Sequence, residues 1–189
     1  MHESEKRFRT VPNGLSLLRI AMVPLFVSCF FADIPHNRAW AMAVFLAAGA
    51  TDVIDGFIAR RFHQISVWGR ILDPLADKLM VFSALLCLAA VDTIPAWLVL
   101  LYFCKETAQA ICGFVFMRRT KDMPGSNVFG KAGTCLFYIT IVALTLTTPP
   151  VAIKNTLLIL SYGTIMAAFA SYLLQAFRLD QINHPKSED

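Results

Sequence analysis

The chain alternates between long apolar segments and short polar ones. Each of six apolar segments reaches about 20 residues, the length that an α-helix needs to cross the hydrocarbon core of a bilayer. Turn-forming sequences separate them, among them residues 33–37, residues 92–95 and the pair Pro149-Pro150. This pattern predicts six transmembrane helices, at about residues 15–32, 38–62, 67–91, 96–117, 127–147 and 153–177.

The composition agrees with this interpretation. Hydrophobic residues make up 57% of the 189 residues and charged residues 16%, whereas soluble domains carry about 25% charged residues. We therefore predict an all-α, polytopic membrane protein. Its parts are an N-terminal interfacial segment over residues 1–14, a six-helix membrane domain over residues 15–178 and a polar tail over residues 179–189.

The N-terminal segment carries basic residues beside aromatic and aliphatic ones. Lys6, Arg7 and Arg9 with Phe8 predict a short helix on an anionic membrane surface. We expect the sequence over residues 12–14, Pro-Asn-Gly, to break the chain before the first span. Arg19 in that span is expected to reach lipid headgroups or a bound phosphate.

The distribution of basic residues predicts the orientation in the membrane. Six spans put both termini on one side, and that side collects most of the lysines and arginines, while the other side has only Arg38 and Lys154. Loops rich in Lys and Arg remain in the cytoplasm. We therefore expect cytoplasmic termini, with the polar halves of the second and third spans at the cytoplasmic face.

Those polar halves carry carboxylates at fixed intervals. Asp52 and Asp55 lie one turn apart on one predicted helix, and Gly69, Asp73 and Asp77 repeat every four residues on the next. Each carboxylate costs about 2.5–3.5 kcal/mol at the centre of a membrane helix, and close like charges repel unless cations neutralise them. Because all-oxygen ligands favour hard ions over zinc, the pattern predicts bound Mg²⁺ or Mn²⁺.

Small and basic residues accompany the carboxylates. Gly56, Ala59 and Gly69 leave space for a ligand close to the backbone, and Arg60 offers a planar guanidinium suited to a phosphate. Two ions about 3.5–4 Å apart could hold a pyrophosphate, which points to a nucleotide-bearing substrate. The alternative is an ion-conducting transporter or channel lined by the aspartates, although its carboxylates should be spread through the membrane depth.

The composite D-x2-D-G-x2-A-R-x8-G-x3-D-x3-D resembles the signature of the CDP-alcohol phosphotransferase family, also called CDP-alcohol phosphatidyltransferases. The opening VPNGLSLLRIAMVP is similar to that of the bacterial phospholipid synthases of this family. The resemblance implies a six-helix fold in the bacterial cytoplasmic membrane, commonly as a homodimer. The fixed positions of the signature are filled by Asp52, Asp55, Gly56, Ala59, Arg60, Gly69, Asp73 and Asp77.

The resemblance also implies a role for each of these residues. Asp52, Asp55 and Asp73 would hold two metal ions, with Asp77 completing the second site. Asp77 would also be the general base, taking a proton from an acceptor hydroxyl whose oxygen attacks the β-phosphorus of CDP-diacylglycerol, so that CMP leaves. The CDP-lipid would bind at Asp52, Gly56, Ala59, Arg60, Gly69 and Asp73.

The acceptor is less well specified. Lys131 matches the first lysine of a G-K-x-K-T sequence in the subgroup that uses sn-glycerol 3-phosphate to form phosphatidylglycerophosphate, but Gly133 replaces the second lysine. Lys105-Glu106 stands where that subgroup has Arg-Glu. We predict glycerol 3-phosphate as the acceptor, bound by Lys131, Arg118 and Lys105. The alternative acceptor is phosphatidylglycerol, as in cardiolipin synthases. A third hypothesis is that the chain is a catalytically inactive family member that acts as an assembly partner, and the complete motif argues against it.

Overall fold

The computed structural model describes residues 11–61, 69–120 and 128–183, and the side chains of residues 14–51, 74–116 and 130–176. Within these ranges the chain is helical and contains no strand, which confirms the predicted all-α fold. Six helices follow one another: α1 (Val11–Phe31), α2 (Asn37–Arg61), α3 (Gly69–Ala90), α4 (Ala96–Thr120), α5 (Val128–Leu146) and α6 (Val151–Asn183).

Several of these helices are suited to a membrane. Among the described residues, three stretches are long and apolar enough to cross one, Gly14–Phe31, Ala96–Phe116 and Val151–Ala176, and α5 has a shorter apolar stretch, Gly130–Leu146. Large apolar side chains point outward on them, including Trp97 and Ile159, which are 62% and 71% exposed. The chain is therefore an integral membrane protein, while six crossings remain a prediction.

The turn between α1 and α2 is built by Asn37. Its side-chain amide donates hydrogen bonds to the carbonyl oxygens of Phe30 (3.0 Å) and Ala32 (3.1 Å), which have no backbone N–H donor at the end of a helix. His36 adopts a left-handed conformation with φ of 58°. The Arg38 guanidinium lies 5.1 Å from the centre of the Phe30 ring. These contacts reverse the chain within a few residues, as predicted.

The predicted turns at residues 92–95 and at Pro149-Pro150 are also confirmed, while the connections after the second and fourth spans lie outside the described residues. Asp92 has a φ of 55°, and the next amide, that of Thr93, donates to the carbonyl of Leu88 at 2.9 Å, a common way of ending a helix. Pro149 and Pro150 separate α5 from α6, and the first turn of α6 closes when the Lys154 amide donates to the Pro150 carbonyl at 3.0 Å.

One predicted helix boundary is wrong. The Pro-Asn-Gly sequence does not break the chain, because α1 begins at Val11 and continues through it. Proline is tolerated in the first turn of a helix, where its missing N–H has no intrahelical acceptor. In α6 the apolar stretch Val151–Ala176 agrees with the predicted span, and the helix continues beyond it to Asn183 because no proline or glycine occurs between Phe177 and that residue. The interfacial helix predicted before Val11 lies outside the described residues.

The helices form two compact units, divided after Ile94. In the first unit, α1 packs against both α2 and α3, and α2 also contacts α3. Phe26 on α1 lies 6.0 Å from Phe45 on α2 and 6.1 Å from Phe30, measured between ring centres. These buried rings hold the ends of α1 and α2 nearest their connecting turn.

In the second unit, α6 packs against both α4 and α5. Three buried aromatic residues, one from each helix, make its core. Tyr102 stacks on Phe137 at 5.2 Å, and Tyr162 meets Phe137 edge-on at 5.3 Å. The Tyr162 hydroxyl donates to the Leu98 carbonyl at 3.1 Å, so its polar end is satisfied within the core.

Candidate functional site

The motif occupies helix positions in the first unit. Asp52 and Asp55 lie in the second half of α2, about 4.5 Å apart along the axis. Asp73 and Asp77 lie in the first half of α3, about 6 Å apart along the axis. The side chains of the first three are outside the described ones. The structure therefore confirms that the two halves of the motif lie on helices that contact each other.

Asp77 stands at the polar end of a buried ridge on α3. Its side chain is partly exposed, and the positions three, four and seven residues later, Met80, Val81 and Ala84, are almost fully buried. Pro74 lies inside α3 between Asp73 and Asp77. It has no N–H for the ordinary helical bond to the carbonyl four residues earlier, so the helix is locally weakened beside the aspartates.

Arg19 on α1 is a functional candidate that the motif does not include. Its side chain is 1% exposed, and Ser16, one turn earlier on the same face, is fully buried. Because α1 packs against α2 and α3, this face belongs to the interior of the unit that carries the aspartates. The expectation that Arg19 reaches lipid headgroups is therefore wrong. A buried guanidinium requires negative charge or hydrogen-bond acceptors around it. In the sequence, the position of this arginine inside an otherwise apolar span is what marks it as a candidate.

The residues predicted to bind the acceptor lie in the second unit. Lys131 is exposed in the first turn of α5, and Arg118 is in the last turn of α4, with its side chain outside the described ones. Lys105 lies near the middle of α4, about 20 Å along the helix axis from Arg118. One small acceptor therefore cannot contact both α4 residues.

Lys105 is already paired. Its ammonium nitrogen lies 2.6 Å from a carboxylate oxygen of Glu106, and the two side chains are only 12% and 17% exposed. Adjacent helical residues point about 100° apart, so this pair requires both long side chains to bend toward each other. The contact compensates the lysine charge and leaves Lys105 less available to a phosphate than Lys131.

Gly133 occupies the position of the second lysine in the glycerol-phosphate subgroup. A Cβ atom there would lie 3.4 Å from the backbone carbon and oxygen of Thr164 on α6. The absence of a side chain lets α5 and α6 approach closely at this point. A lysine at position 133 would begin in contact with the backbone of α6, so we expect packing to disfavour the subgroup's second lysine here.

The donor atoms of the motif fit a hard divalent cation. Among the described side chains, no three His, Cys, Asp or Glu residues lie together as a metal site, but three of the four motif aspartates are outside that set. Four carboxylates provide oxygen ligands alone. This donor chemistry suits Mg²⁺ or Mn²⁺ and lacks the nitrogen and sulfur atoms typical of zinc.

Comparison with known proteins identifies the family. Residues 9–174 match the profile of the CDP-alcohol phosphatidyltransferases. A cardiolipin synthase (CMP-forming) of Streptomyces coelicolor is 37% identical over 131 residues, which cover 68% of this chain and 61% of that protein. A CDP-diacylglycerol–glycerol-3-phosphate 3-phosphatidyltransferase of Bacillus subtilis is 33% identical over 148 residues, covering 72% of this chain and 76% of the relative.

A third relative is a probable phosphatidylglycerophosphate synthase of Mycobacterium tuberculosis, 34% identical over 116 residues, 60% of this chain and 56% of that protein. The chain thus aligns with less than two thirds of the Streptomyces and Mycobacterium proteins. Relatives named for two different lipid products, cardiolipin and phosphatidylglycerophosphate, show comparable identity. Overall similarity therefore shows the family without distinguishing between these two names.

Proposed function

We propose that this chain, which belongs to the CDP-alcohol phosphatidyltransferase family, transfers a phosphatidyl group from CDP-diacylglycerol to an alcohol and releases CMP. The observation that carries the proposal is the complete motif on two contacting helices, α2 and α3. A scattered set of aspartates would not combine this spacing with Gly56, Arg60 and Gly69. The family match over residues 9–174 supports the same reaction.

The CDP-lipid and its metal ions are assigned to the motif. Asp52, Asp55 and Asp73 would hold two ions, Mg²⁺ or Mn²⁺, with Asp77 completing the second site. When bound, such ions withdraw charge from a pyrophosphate and stabilise the departing phosphate. The remaining contacts to the CDP-lipid are assigned to the same stretch, at Asp52, Gly56, Ala59, Arg60, Gly69 and Asp73.

The motif residues position the donor, and Asp77 moves the proton. Arg60 binds a phosphate oxygen and orients the pyrophosphate, while the small residues let the nucleotide lie against the helix backbone. The Asp77 carboxylate accepts the proton of the acceptor hydroxyl as that oxygen forms a bond to the β-phosphorus. The bond from that phosphorus to the bridging oxygen breaks, and the oxygen leaves with CMP. Phosphoryl transfer depends mainly on such positioning and charge stabilisation.

For the acceptor we propose sn-glycerol 3-phosphate, giving phosphatidylglycerophosphate. Lys131 supports it, because an exposed lysine near the start of α5 suits a phosphorylated, water-soluble alcohol, and Arg118 is a second candidate contact. Lys105 belongs to this set with a lesser role, shaping the pocket through its pair with Glu106. The Bacillus relative is named for this acceptor.

Transfer to phosphatidylglycerol is the second candidate. Two observations favour it, because both leave less positive charge for a phosphorylated acceptor. Gly133 stands where the glycerol-phosphate subgroup has its second lysine, and Glu106 compensates the charge of Lys105. The Streptomyces relative carries the cardiolipin synthase name. We further propose cytoplasmic termini, a site at the cytoplasmic face of the bacterial membrane and a homodimer.

An acceptor screen tests the proposal. Purified protein in vesicles receives CDP-diacylglycerol, Mg²⁺ or Mn²⁺, and one of glycerol 3-phosphate, phosphatidylglycerol, serine, inositol or inositol phosphate. CMP release and the lipid product are then measured. We expect phosphatidylglycerophosphate from glycerol 3-phosphate and no CMP when chelator removes the metal. Ion flux through the vesicles without CMP would instead support the transporter.

A further inference from the structure

The buried face of α1 carries an arginine among apolar side chains. Ser16, Arg19, Phe26 and Phe30 follow one another at steps of three, seven and four residues, and each is at most 2% exposed. This spacing is that of a helix face packed against its neighbours, and α1 contacts both α2 and α3. The charge of Arg19 therefore lies in the interior of the first unit, where it needs a negative partner.

The helices of the first unit offer few acidic residues to Arg19. Asp33 and Asp92 are exposed in the turns that follow α1 and α3, whereas Arg19 lies in the first half of α1. The other acidic residues of residues 11–94 are the four aspartates of the motif. The motif is therefore the source of negative charge that these helices offer to Arg19.

The register between α1 and α2 brings Arg19 level with Asp52. The rings of Phe26 and Phe45 meet with their centres 6.0 Å apart, and α2 returns along α1 after the short turn. Arg19 precedes Phe26 by seven positions, and Asp52 follows Phe45 by seven. Seven positions span about 10.5 Å along the axis and return to the same face of a helix within about 20°. Equal steps from one contact therefore bring positions 19 and 52 to the same height.

The buried ridge of α2 leads to the same position. Ala41, Phe45 and Ala48 are at most 3% exposed and are separated by four and then three residues. The next steps of four and three reach Asp52 and Asp55. Both positions thus continue the face of α2 that packs in the interior of the unit.

The two helices remain side by side over most of this distance. Met22 on α1 and Ala47 on α2 line the same apolar depression between the helices. Met22 is three positions from Arg19, and Ala47 is five positions from Asp52. The contact between α1 and α2 therefore extends to within about 4.5 Å and 7.5 Å of the two residues along the axes.

We propose that Arg19 is a positioning residue for the metal-binding carboxylates of α2, and for Asp52 in particular. The inference rests on the proposed function, which assigns metal ions to these carboxylates. A guanidinium presents paired N–H donors that match the two oxygens of a carboxylate, so donation from α1 fixes the direction of the Asp52 side chain. Because Arg19 is only 1% exposed, it acts from behind the metal ligands rather than on the substrate.

Binding of Mn²⁺ alone tests this role without turnover. Purified protein in detergent is titrated with Mn²⁺, and the electron paramagnetic resonance signal reports the free ion. R19M keeps most of the length of the side chain without its charge. We expect R19M to weaken Mn²⁺ binding about tenfold or more, as is usual when a group that orients a metal ligand is replaced. Charge alone predicts the opposite sign, because loss of a nearby cation favours binding of another, so unchanged or tighter binding would overturn the proposal.

Two further variants keep the test valid if R19M folds poorly. R19K retains a cation in the interior, but an ammonium group is a point charge that cannot bond both carboxylate oxygens in one plane. We expect R19K to bind Mn²⁺ about threefold or more weaker than the wild type, and full affinity would overturn the proposal. The matched control is R38M, which removes an arginine about 21 Å along α2 from Asp52. An equal loss of Mn²⁺ affinity in R38M would also overturn it.

Kinetics separate positioning from a direct contact with the donor. If Arg19 orients Asp52, R19K needs more Mn²⁺ for half-maximal CMP release, while its KM for CDP-diacylglycerol at saturating Mn²⁺ stays close to that of the wild type. A raised donor KM at saturating Mn²⁺ with unchanged Mn²⁺ affinity would mean that Arg19 binds the donor phosphate, and the positioning role would be wrong.

The outcomes distinguish this inference from the proposed function. If the wild-type protein binds no Mn²⁺ and releases no CMP from any donor, the proposed function fails. If the wild-type protein does both and the two Arg19 variants bind Mn²⁺ as it does, the positioning role of Arg19 alone fails.

Discussion

The two units of this chain differ in how completely their residues specify chemistry. The first unit carries every fixed position of the motif on α2 and α3, and its α1 buries two polar residues, Ser16 and Arg19. The second unit has an aromatic core and a few cations, of which Lys105 is already paired. The donor half of the reaction is therefore defined by a dense, spaced pattern. The acceptor half depends on isolated residues, two of which depart from the subgroup at Lys105 and Gly133.

The largest expected effect is that of D77N in the first unit. The substitution keeps the size of the side chain but removes the proton acceptor, so kcat should fall about 10²–10⁴-fold. CMP binding, measured by calorimetry, should change far less. The control is D92N, in a turn of the same unit and exposed, where asparagine tolerates the left-handed backbone. Full activity of D77N would show that Asp77 is not the general base, and the first unit would then specify the chemistry less completely than we propose.

The next effect is expected at Arg19. Replacing this buried side chain by alanine leaves a cavity in the interior of the first unit, and large-to-small replacements of this kind typically cost about 2–5 kcal/mol. We expect R19A to lower the unfolding temperature in detergent and to abolish CMP release, and R19K to recover part of the stability. The comparison is R38A, which replaces a partly buried arginine at the start of α2. Similar losses in R19A and R38A would show that Arg19 has no special place in the first unit.

Arg19 also shows where sequence reasoning succeeds and fails. Hydrophobic length and turn residues predicted six helices and their turns, because proline, glycine and asparagine act locally on the backbone. The motif predicted which helices carry the candidate site. Burial of Arg19 depends instead on how α1 packs against two other helices, and the pair formed by Lys105 and Glu106 depends on their rotamers. Neither packing nor rotamers leave a periodic signal in one sequence.

The helix ends give the same lesson. Pro12 looked like a break, yet α1 begins one residue earlier and includes it. A proline ends a helix when the helical segment precedes it and is tolerated in the first turn when the helical segment follows it. Here the long apolar segment follows Gly14, so Pro12 stands in the first turn of α1.

In the second unit, K131A should have a smaller and more selective effect. An exposed lysine bound to a phosphate contributes about 1.5–3 kcal/mol through charged hydrogen bonds, so the KM for glycerol 3-phosphate should rise about tenfold or more. The KM for CDP-diacylglycerol should not change. K154A, near the start of α6, is the matched control for loss of one positive charge. If K131A instead alters the donor KM alone, the assignment of acceptor binding to the second unit is wrong.

The smallest expected effect concerns Gly133 and the reason for its departure from the subgroup. Alanine in place of an unconstrained helical glycine stabilises by roughly 0.5–1 kcal/mol. Gly163 on α6 is such a position, since a Cβ there meets nothing within 4 Å, whereas a Cβ at Gly133 lies 3.4 Å from the Thr164 backbone. We expect G163A to raise the unfolding temperature and G133A to raise it less or not at all. G133K, which restores the lysine of the subgroup, should lower it, because the side chain must pass the α6 backbone. If G133A and G163A stabilise equally and G133K is neutral, packing does not explain the missing lysine. Its absence would then have to reflect the acceptor itself, which would favour phosphatidylglycerol over glycerol 3-phosphate.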